Sequence, residues 1–219
     1  REEITSFDTA FINGSTVGGM CLTDELYQDA NRISNTSPFI TSYDLASVTL
    51  YLQELYNIQG ICNTINTACS SSANAIMYGA RLIKQGKAKR AIVGGVDSLA
   101  KFTINGFNSL HILSAEKCKP FDRNRSGLNL GEAAAFLVLE AEEDCKNKKA
   151  YAVLSGYANA NDAYHASALS ETGDGPYEAM KEALHIANLD AYEISFINAH
   201  GTGTANNDLA ESAAIKRVF

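Results

Sequence analysis

Short runs that are apolar on both faces, 91–96 and 133–139 above all, alternate along the chain with blocks whose apolar residues recur every three or four positions. A strand that is apolar on both faces must be covered on both. The helical blocks supply that cover, so the pattern predicts an α/β chain built on a mostly parallel, buried sheet. One helix is expected over 43–56, where Leu45, Val48, Leu52 and Leu55 share a face and Asn57 and Gly60 follow as stop signals. A second is expected over 70–85, with Ala73, Ile76, Met77, Ala80 and Ile83 on one face and Gly86 as its terminator. Strands are expected over 61–65, 91–96, 133–139, 152–157 and 194–199, the second and third fully buried, with irregular chain between those two. Pro176 should stand near the first position of another helix, and a last helix should follow Asn206 and Asn207. The charged run 140–149 reads as a solvated helix or connection.

Charge and composition remove whole classes of function. With 18 basic and 25 acidic residues the net charge is −7, and no basic stripe is interleaved with aromatics, so the footprint of a nucleic-acid binder is missing. No apolar run approaches the roughly 20 residues that cross a bilayer, and the first residues carry no signal core, so neither a membrane partner nor secretion is expected. The 5 cysteines (21, 62, 69, 118 and 145) are an odd number without a CxxC pair. A disulfide framework or zinc ribbon is therefore not expected, and the compartment should be reducing, the cytoplasm. The missing initiator Met suggests a trimmed or partial chain.

Two places could carry chemistry. At Thr67-Ala68-Cys69-Ser70-Ser71-Ser72 a strand-like run breaks on small residues and turns into a helix, which puts a thiol at a helix start. There the free backbone N–H groups and the helix dipole favour a thiolate and can hold an oxyanion. The competing reading is a small cysteine packed under the helix, the usual fate of a free thiol. At Asn198-Ala199-His200-Gly201-Thr202-Gly203-Thr204, a histidine and two hydroxyls follow an apolar strand, where ligands bind in open α/β sheets. His200 could donate a hydrogen bond or move a proton, and Gly-Thr-Gly could alternatively cradle phosphate, although the Lys and spacing of a P-loop are absent.

Thr67-Ala68-Cys69-Ser70-Ser71, the strand with Gly94-Gly95, Pro120-Phe121-Asp122, Leu130-Gly131-Glu132-Ala133 and His200-Gly201-Thr202-Gly203-Thr204 occur in one order. In that order they resemble the β-ketoacyl-acyl carrier protein synthases, as do Ser37-Pro38-Phe39, Gly106-Phe107 and Asn161-Asp162-Ala163-Tyr164-His165, from about Val17 to the last residue. The resemblance implies a layered thiolase-like fold, incomplete at both ends, with 1–150 as part of the nucleophile-bearing half and 151–219 as the start of the second half. It implies a decarboxylative Claisen condensation in which Cys69 takes the acyl chain. His200 would then promote decarboxylation of a malonyl thioester and stabilise the enolate. Thr202 and Thr204 would hold the phosphopantetheine arm, Phe107 would line the acyl pocket, and Asp162 and His165 would belong to a loop near the entrance. No cofactor or metal is implied, because the substrates arrive on the phosphopantetheine of an acyl carrier protein. The other implied partner is a second condensing-enzyme chain in a homodimer or heterodimer.

The departures bear on activity. The lysine, the second histidine in Gly-His-x-x-Gly-Ala and the gating phenylalanine that follow HGTGT in the family have no counterpart here, and the opening strand and helix are expected to be missing. Such a chain should be catalytically incomplete, either a region of a larger protein or one completed by a partner. Ser126 stands where Asp is usual and Ala205 where Pro is common, and the short 113–120 connection resembles aryl-polyene and polyketide enzymes. Two other functions compete: a non-catalytic chain-length-factor-like subunit, which the presence of Cys69 opposes, and a cysteine hydrolase. The basic cluster Arg81, Lys84, Lys87, Lys89 and Arg90 reads either as a solvated helix end or as a docking patch for an acidic carrier. His111 and His185 carry no motif.

Overall fold

One of the two inner strands of the sheet is not announced by the apolar pattern. Thr9–Gly14 (β1) is buried along its whole length, although Thr9 and Asn13 interrupt its apolar character. The computed structural model describes residues 2–32, 36–145, 148–166 and 168–219, Glu2 by its backbone alone. It divides into two units, Arg1–Gly106 with Gly131–Ala150, and Phe107–Leu130 with Tyr151–Phe219.

In the first unit α1 (Glu2–Thr5) precedes β1, and α2 (Thr23–Arg32) and α3 (Ser47–Tyr56) follow it. Then come β2 (Cys62–Ile65), α4 (Ser71–Lys84), β3 (Arg90–Asp97), α5 (Lys101–Ser109), whose residues from Phe107 on are counted with the second unit, and β4 (Ala133–Glu140). The four strands lie in the order β2-β1-β3-β4. β1 runs parallel to β2 and β3, and β4 pairs antiparallel with β3. The core is formed by Ala10 and Ile12 of β1, Ala91 and Val93 of β3, Ala75 and Leu82 of α4, and Ala88. Burying side chains the size of Ile12 and Val93 is worth about 1.5–3 kcal/mol each, and this is what seats α4 on the sheet.

Several expectations are met. α3 ends at Asn57, whose left-handed backbone (φ 51°) caps it, and α4 ends at Lys84, two residues before Gly86 (φ 67°). α3 begins at Ser47 rather than at 43. Other expectations are corrected. The run 133–139 is a strand, but it is the outer, antiparallel one, and Leu137 and Val138 are 55% and 62% exposed rather than buried. An apolar run sets strand propensity without dictating how many neighbours the strand obtains. The stretch expected to be irregular contains α5, and α2 carries only Leu26, Tyr27 and Ala30 as apolar residues among its ten, too few to mark a helix by apolar periodicity.

The second unit holds α6 (Asp174–Ala187) and α7 (Ala205–Val218), which pack together. The expected strands 152–157 and 194–199 are not strands here. They are paired with no neighbour among the described residues, and Val153 and Phe196 are 76% and 83% exposed. Apolar extended chain becomes sheet only when a ladder partner is present. Pro176 is the third residue of α6, and Asn206 and Asn207 lie inside the first turn of α7 instead of before it. Glu142–Cys145 is a short 3-10 turn, and 146–147 of the charged run lie outside the described residues. Among the described residues no helix is long and apolar enough to cross a membrane, and no group of three or more His, Cys, Asp or Glu could hold a metal ion.

Candidate functional site

The turn between β2 and α4 is closed by hydroxyls. The Ser71 hydroxyl donates to the Ala68 carbonyl at 2.6 Å and accepts from the Thr67 N–H at 3.0 Å. The Thr67 hydroxyl accepts from Asn74 at 2.7 Å and lies 3.0 Å from that of Ser70. The Asn66 side chain accepts from the Ala68 N–H at 3.1 Å. This web holds Ala68 in the left-handed region (φ 52°), which costs a residue with a Cβ about 1–2 kcal/mol and so is retained only where its surroundings enforce it. The tight turn places Cys69 just before the Ser70 cap of α4, at the positive end of the helix dipole. Cys69 is exposed, so the reading of a cysteine packed beneath the helix is not what the fold shows.

The floor under this turn is bare backbone. A Cβ on Gly14 would fall 2.6 Å from the Ser71 carbonyl carbon, and one on Gly95 would fall 2.2 Å from the Ser72 hydroxyl. Only glycine at the ends of β1 and β3 allows the first turn of α4 to rest directly on the sheet. Three of the other four thiols are half-buried, unlike exposed Cys69 and Cys21. Burial pushes the Cys62 thiol up, Cys118 donates to the Thr202 carbonyl at 3.3 Å, and Cys145 lies 3.8 Å from Glu140.

In the second unit the His200 loop is gripped by carboxylates from α7. Glu211 accepts from the backbone N–H of His200 at 2.6 Å and of Gly201 at 2.9 Å. Asp208, 2% exposed, accepts from the N–H of Gly203 at 3.1 Å and of Phe121 at 2.7 Å. Arg125 donates to the carbonyls of Thr204 (3.2 Å) and Ala205 (3.1 Å) and lies 3.7 Å from Asp208. The loop so held presents an exposed His200 and brings the hydroxyls of Thr202 and Thr204 to 2.8 Å. No motif in the sequence marks Asp208, Glu211 or Arg125 as part of the site. The available signal was an acidic residue in the first turn of a helix directly after a Gly-Thr-Gly-Thr loop, where a carboxylate can satisfy loop N–H groups.

The other expected residues are placed as follows. Phe107 is half-buried on α5. Asp162 accepts from the N–H and hydroxyl of Ser170, both at 2.9 Å, and packs against Gly175, so its carboxylate closes the 162–175 segment on itself. His165 is exposed. Ser126, the departure from the usual Asp, meets the Ser114 hydroxyl at 2.7 Å. Within the basic cluster Lys89 pairs with Asp8 at 3.0 Å on the surface and Arg90 with Glu140 at 2.6 Å, mostly covered. Cys69 belongs to the first unit and His200 to the second.

Comparison with known proteins identifies the family. Residues 1–145 match the family profile described as beta-ketoacyl synthase, N-terminal domain, and residues 151–219 the profile for its C-terminal domain. The chain is 32% identical over 234 residues to 3-oxoacyl-[acyl-carrier-protein] synthase 2 of Vibrio harveyi, covering 99% of this chain and 56% of that one. It is 33% identical over 219 residues to the mitochondrial 3-oxoacyl-[acyl-carrier-protein] synthase of Arabidopsis thaliana, covering 94% of this chain and 48% of that one. Among solved structures it resembles the ketosynthase ApeO in complex with its chain length factor ApeC from Xenorhabdus doucetiae. That likeness has a TM-score of 0.86 at 36% identity and covers 97% of this chain and 53% of that one. The chain thus spans about half the length of the curated relatives it matches.

Proposed function

This chain belongs to the β-ketoacyl synthase family, and on that premise we propose that it carries the acyl-accepting nucleophile of a condensing enzyme acting on thioesters of an acyl carrier protein. The observation that carries the reading is Cys69: an exposed thiol on a hydroxyl-locked turn, beside the positive end of α4 and behind a left-handed Ala68. In the first half-reaction the Cys69 sulfur attacks the acyl thioester carbonyl. A C–S bond to Cys69 forms, the bond to the carrier sulfur breaks, and the carrier thiol leaves with the proton. Backbone N–H groups at the helix start are suited to the oxyanion formed on the way.

In the second half-reaction a malonyl thioester loses carbon dioxide, and the electron pair of the broken C–C bond becomes an enolate. His200 supplies the hydrogen bond to the thioester oxygen as negative charge grows there. The enolate carbon then attacks the acyl-Cys69 carbonyl, the C–S bond to Cys69 breaks, and the longer β-ketoacyl chain stays on its carrier. Thr202 and Thr204 offer paired hydroxyls to the phosphopantetheine arm, Phe107 contributes to the acyl pocket, and Asp162 and His165 order the segment near the entrance. The reading calls for no resident cofactor. It also carries a reducing, cytoplasmic setting and a second ketosynthase-type chain as partner, such as the chain length factor that accompanies ApeO.

The test is the intact mass of the protein after exposure to a long-chain acyl thioester, with Cys69→Ser alongside. A single acyl adduct on the wild type that is absent from the variant is expected. An adduct that persists in Cys69→Ser, or none on either protein, rejects the reading.

A further inference from the structure

We propose that Asp97 is a positioning residue for Cys69, an inference that rests on the reading of Cys69 as the nucleophile. The β1–β3 ladder has Gly14 opposite Gly95 as its last pair, so beyond that point hydrogen-bonded sheet no longer ties the two strands together. That last pair, Gly14 and Gly95, is the floor on which the first turn of α4 rests. Asp97, the last residue of β3, takes over where the ladder stops. Its Oδ1 accepts from the Ser15 hydroxyl at 2.7 Å, the Thr16 N–H at 3.0 Å and the Val17 N–H at 3.1 Å. Its Oδ2 accepts from the Thr16 hydroxyl at 2.7 Å and shares the Thr16 N–H at 3.1 Å. Four donors from three consecutive residues match the roughly four lone-pair sites of an ionised carboxylate, an acceptor-only group. An asparagine offers one oxygen and turns an NH2 toward donors.

The path from Asp97 to the thiol is short and continuous. Ser15, 1% exposed, follows Gly14, and the Gly14 backbone lies against that of Ser71. The Ser71 hydroxyl in turn closes Thr67 and Ala68, the two residues before Cys69. Gly95, two residues before Asp97, lies against the Ser72 side chain of the same turn. A clasp that fixes both strand exits thereby fixes the height and tilt of the first turn of α4 and of the turn that presents the thiol. Reactive groups need such support to within about 0.5 Å to work.

The experiment follows iodoacetamide labelling of each cysteine by peptide mass spectrometry across pH 6–9. Exposed Cys21 serves as the ordinary thiol and half-buried Cys62 as the reporter of loosening of the whole fold. In the wild type Cys69 should react well ahead of Cys21; equal rates would remove the nucleophile reading and this inference with it. Asp97→Asn should slow Cys69 about fivefold at pH 7.5 and move its pH profile upward while Cys62 keeps its rate, the size of loss expected when alignment with a helix terminus is spoiled. A Cys69 rate and profile unchanged in Asp97→Asn, beside fast wild-type labelling, overturns the inference alone. Should Asp97→Asn unfold and expose Cys62, Thr16→Val decides. It removes one donor and leaves the carboxylate, and it should slow Cys69 about twofold; no slowing overturns the proposal.

Discussion

Glu211 holds the backbone of His200 and of the glycine after it: one carboxylate oxygen accepts from the His200 N–H at 2.6 Å and the other from the Gly201 N–H at 2.9 Å. Hydrogen bonds to a charged acceptor are worth about 1.5–3 kcal/mol each, and glutamine can keep only one of the two. Glu211→Gln should therefore speed amide hydrogen exchange at His200 and Gly201 by at least about tenfold, equivalent to about 1.4 kcal/mol of local opening. Exchange rates equal to wild type would mean that the clasp is not maintained in solution.

Arg125 closes the other end of the same loop through the carbonyls of Thr204 and Ala205. The planar guanidinium reaches both carbonyls, and a third at Asp122 (3.1 Å), with separate N–H groups. A lysine ammonium is a point charge that cannot reproduce that fork. Arg125→Lys should lower stability by about 1–2 kcal/mol in urea unfolding despite the conserved charge. A variant as stable as wild type would show that charge beside Asp208 is all the position requires.

The bare-backbone floor predicts a contrast between glycines. Gly14→Ala sets a Cβ 2.6 Å from rigid backbone and should cost about 3 kcal/mol, the upper end for overpacking, since neither strand nor helix can give. Gly86→Ala meets nothing within 4 Å and pays only for its left-handed backbone (φ 67°), about 1 kcal/mol. Denaturant unfolding of the two variants measures the difference. Equal costs would mean that α4 can lift off the strand ends without penalty.

What the sequence made legible follows from what periodicity can encode. α4 and β3 were readable because Ala73, Ile76, Ala80 and Ile83 recur with a helical period and 91–96 is apolar throughout. β1 was not, because Asn13 sits inside it and finds its partner in the Thr49 hydroxyl 36 residues away (3.0 Å), a contact with no local signature. The nucleophile and the histidine could be named from their motifs. Asp97, Asp208 and Glu211 could not, since what they hold is mainly backbone N–H, which every residue but proline carries and no sequence displays. Strand order was equally hidden. The run 133–139 looks the same whether it is flanked on both sides or, as here, pairs with β3 alone among the described residues.

Glu140, 11% exposed, supplies the clearest pH dependence. Its carboxylate accepts from Lys148 at 2.8 Å and from Arg90 at 2.6 Å. These two cations, Lys148 first, hold its pKa below the usual carboxylate range against the opposing effect of burial. A carboxyl group with a depressed folded-state pKa stabilises the fold above its unfolded value, about 4.3, and that stabilisation is lost as pH falls through the folded value. Glu140→Gln should therefore be about 2 kcal/mol less stable than wild type at pH 7. The gap should hold down to about pH 5, narrow once the pH passes the unfolded carboxylate pKa near 4.3, and close below the folded one. Lys148 is half exposed while Arg90 is mostly covered, so water screens the first pair and not the second. Arg90→Gln should accordingly reproduce most of the loss, and Lys148→Gln little of it. Thermal melts of the three variants from pH 3 to 7 check this; a Glu140→Gln deficit as large at pH 3 as at pH 7 would show that shape, and not charge, is what the position supplies.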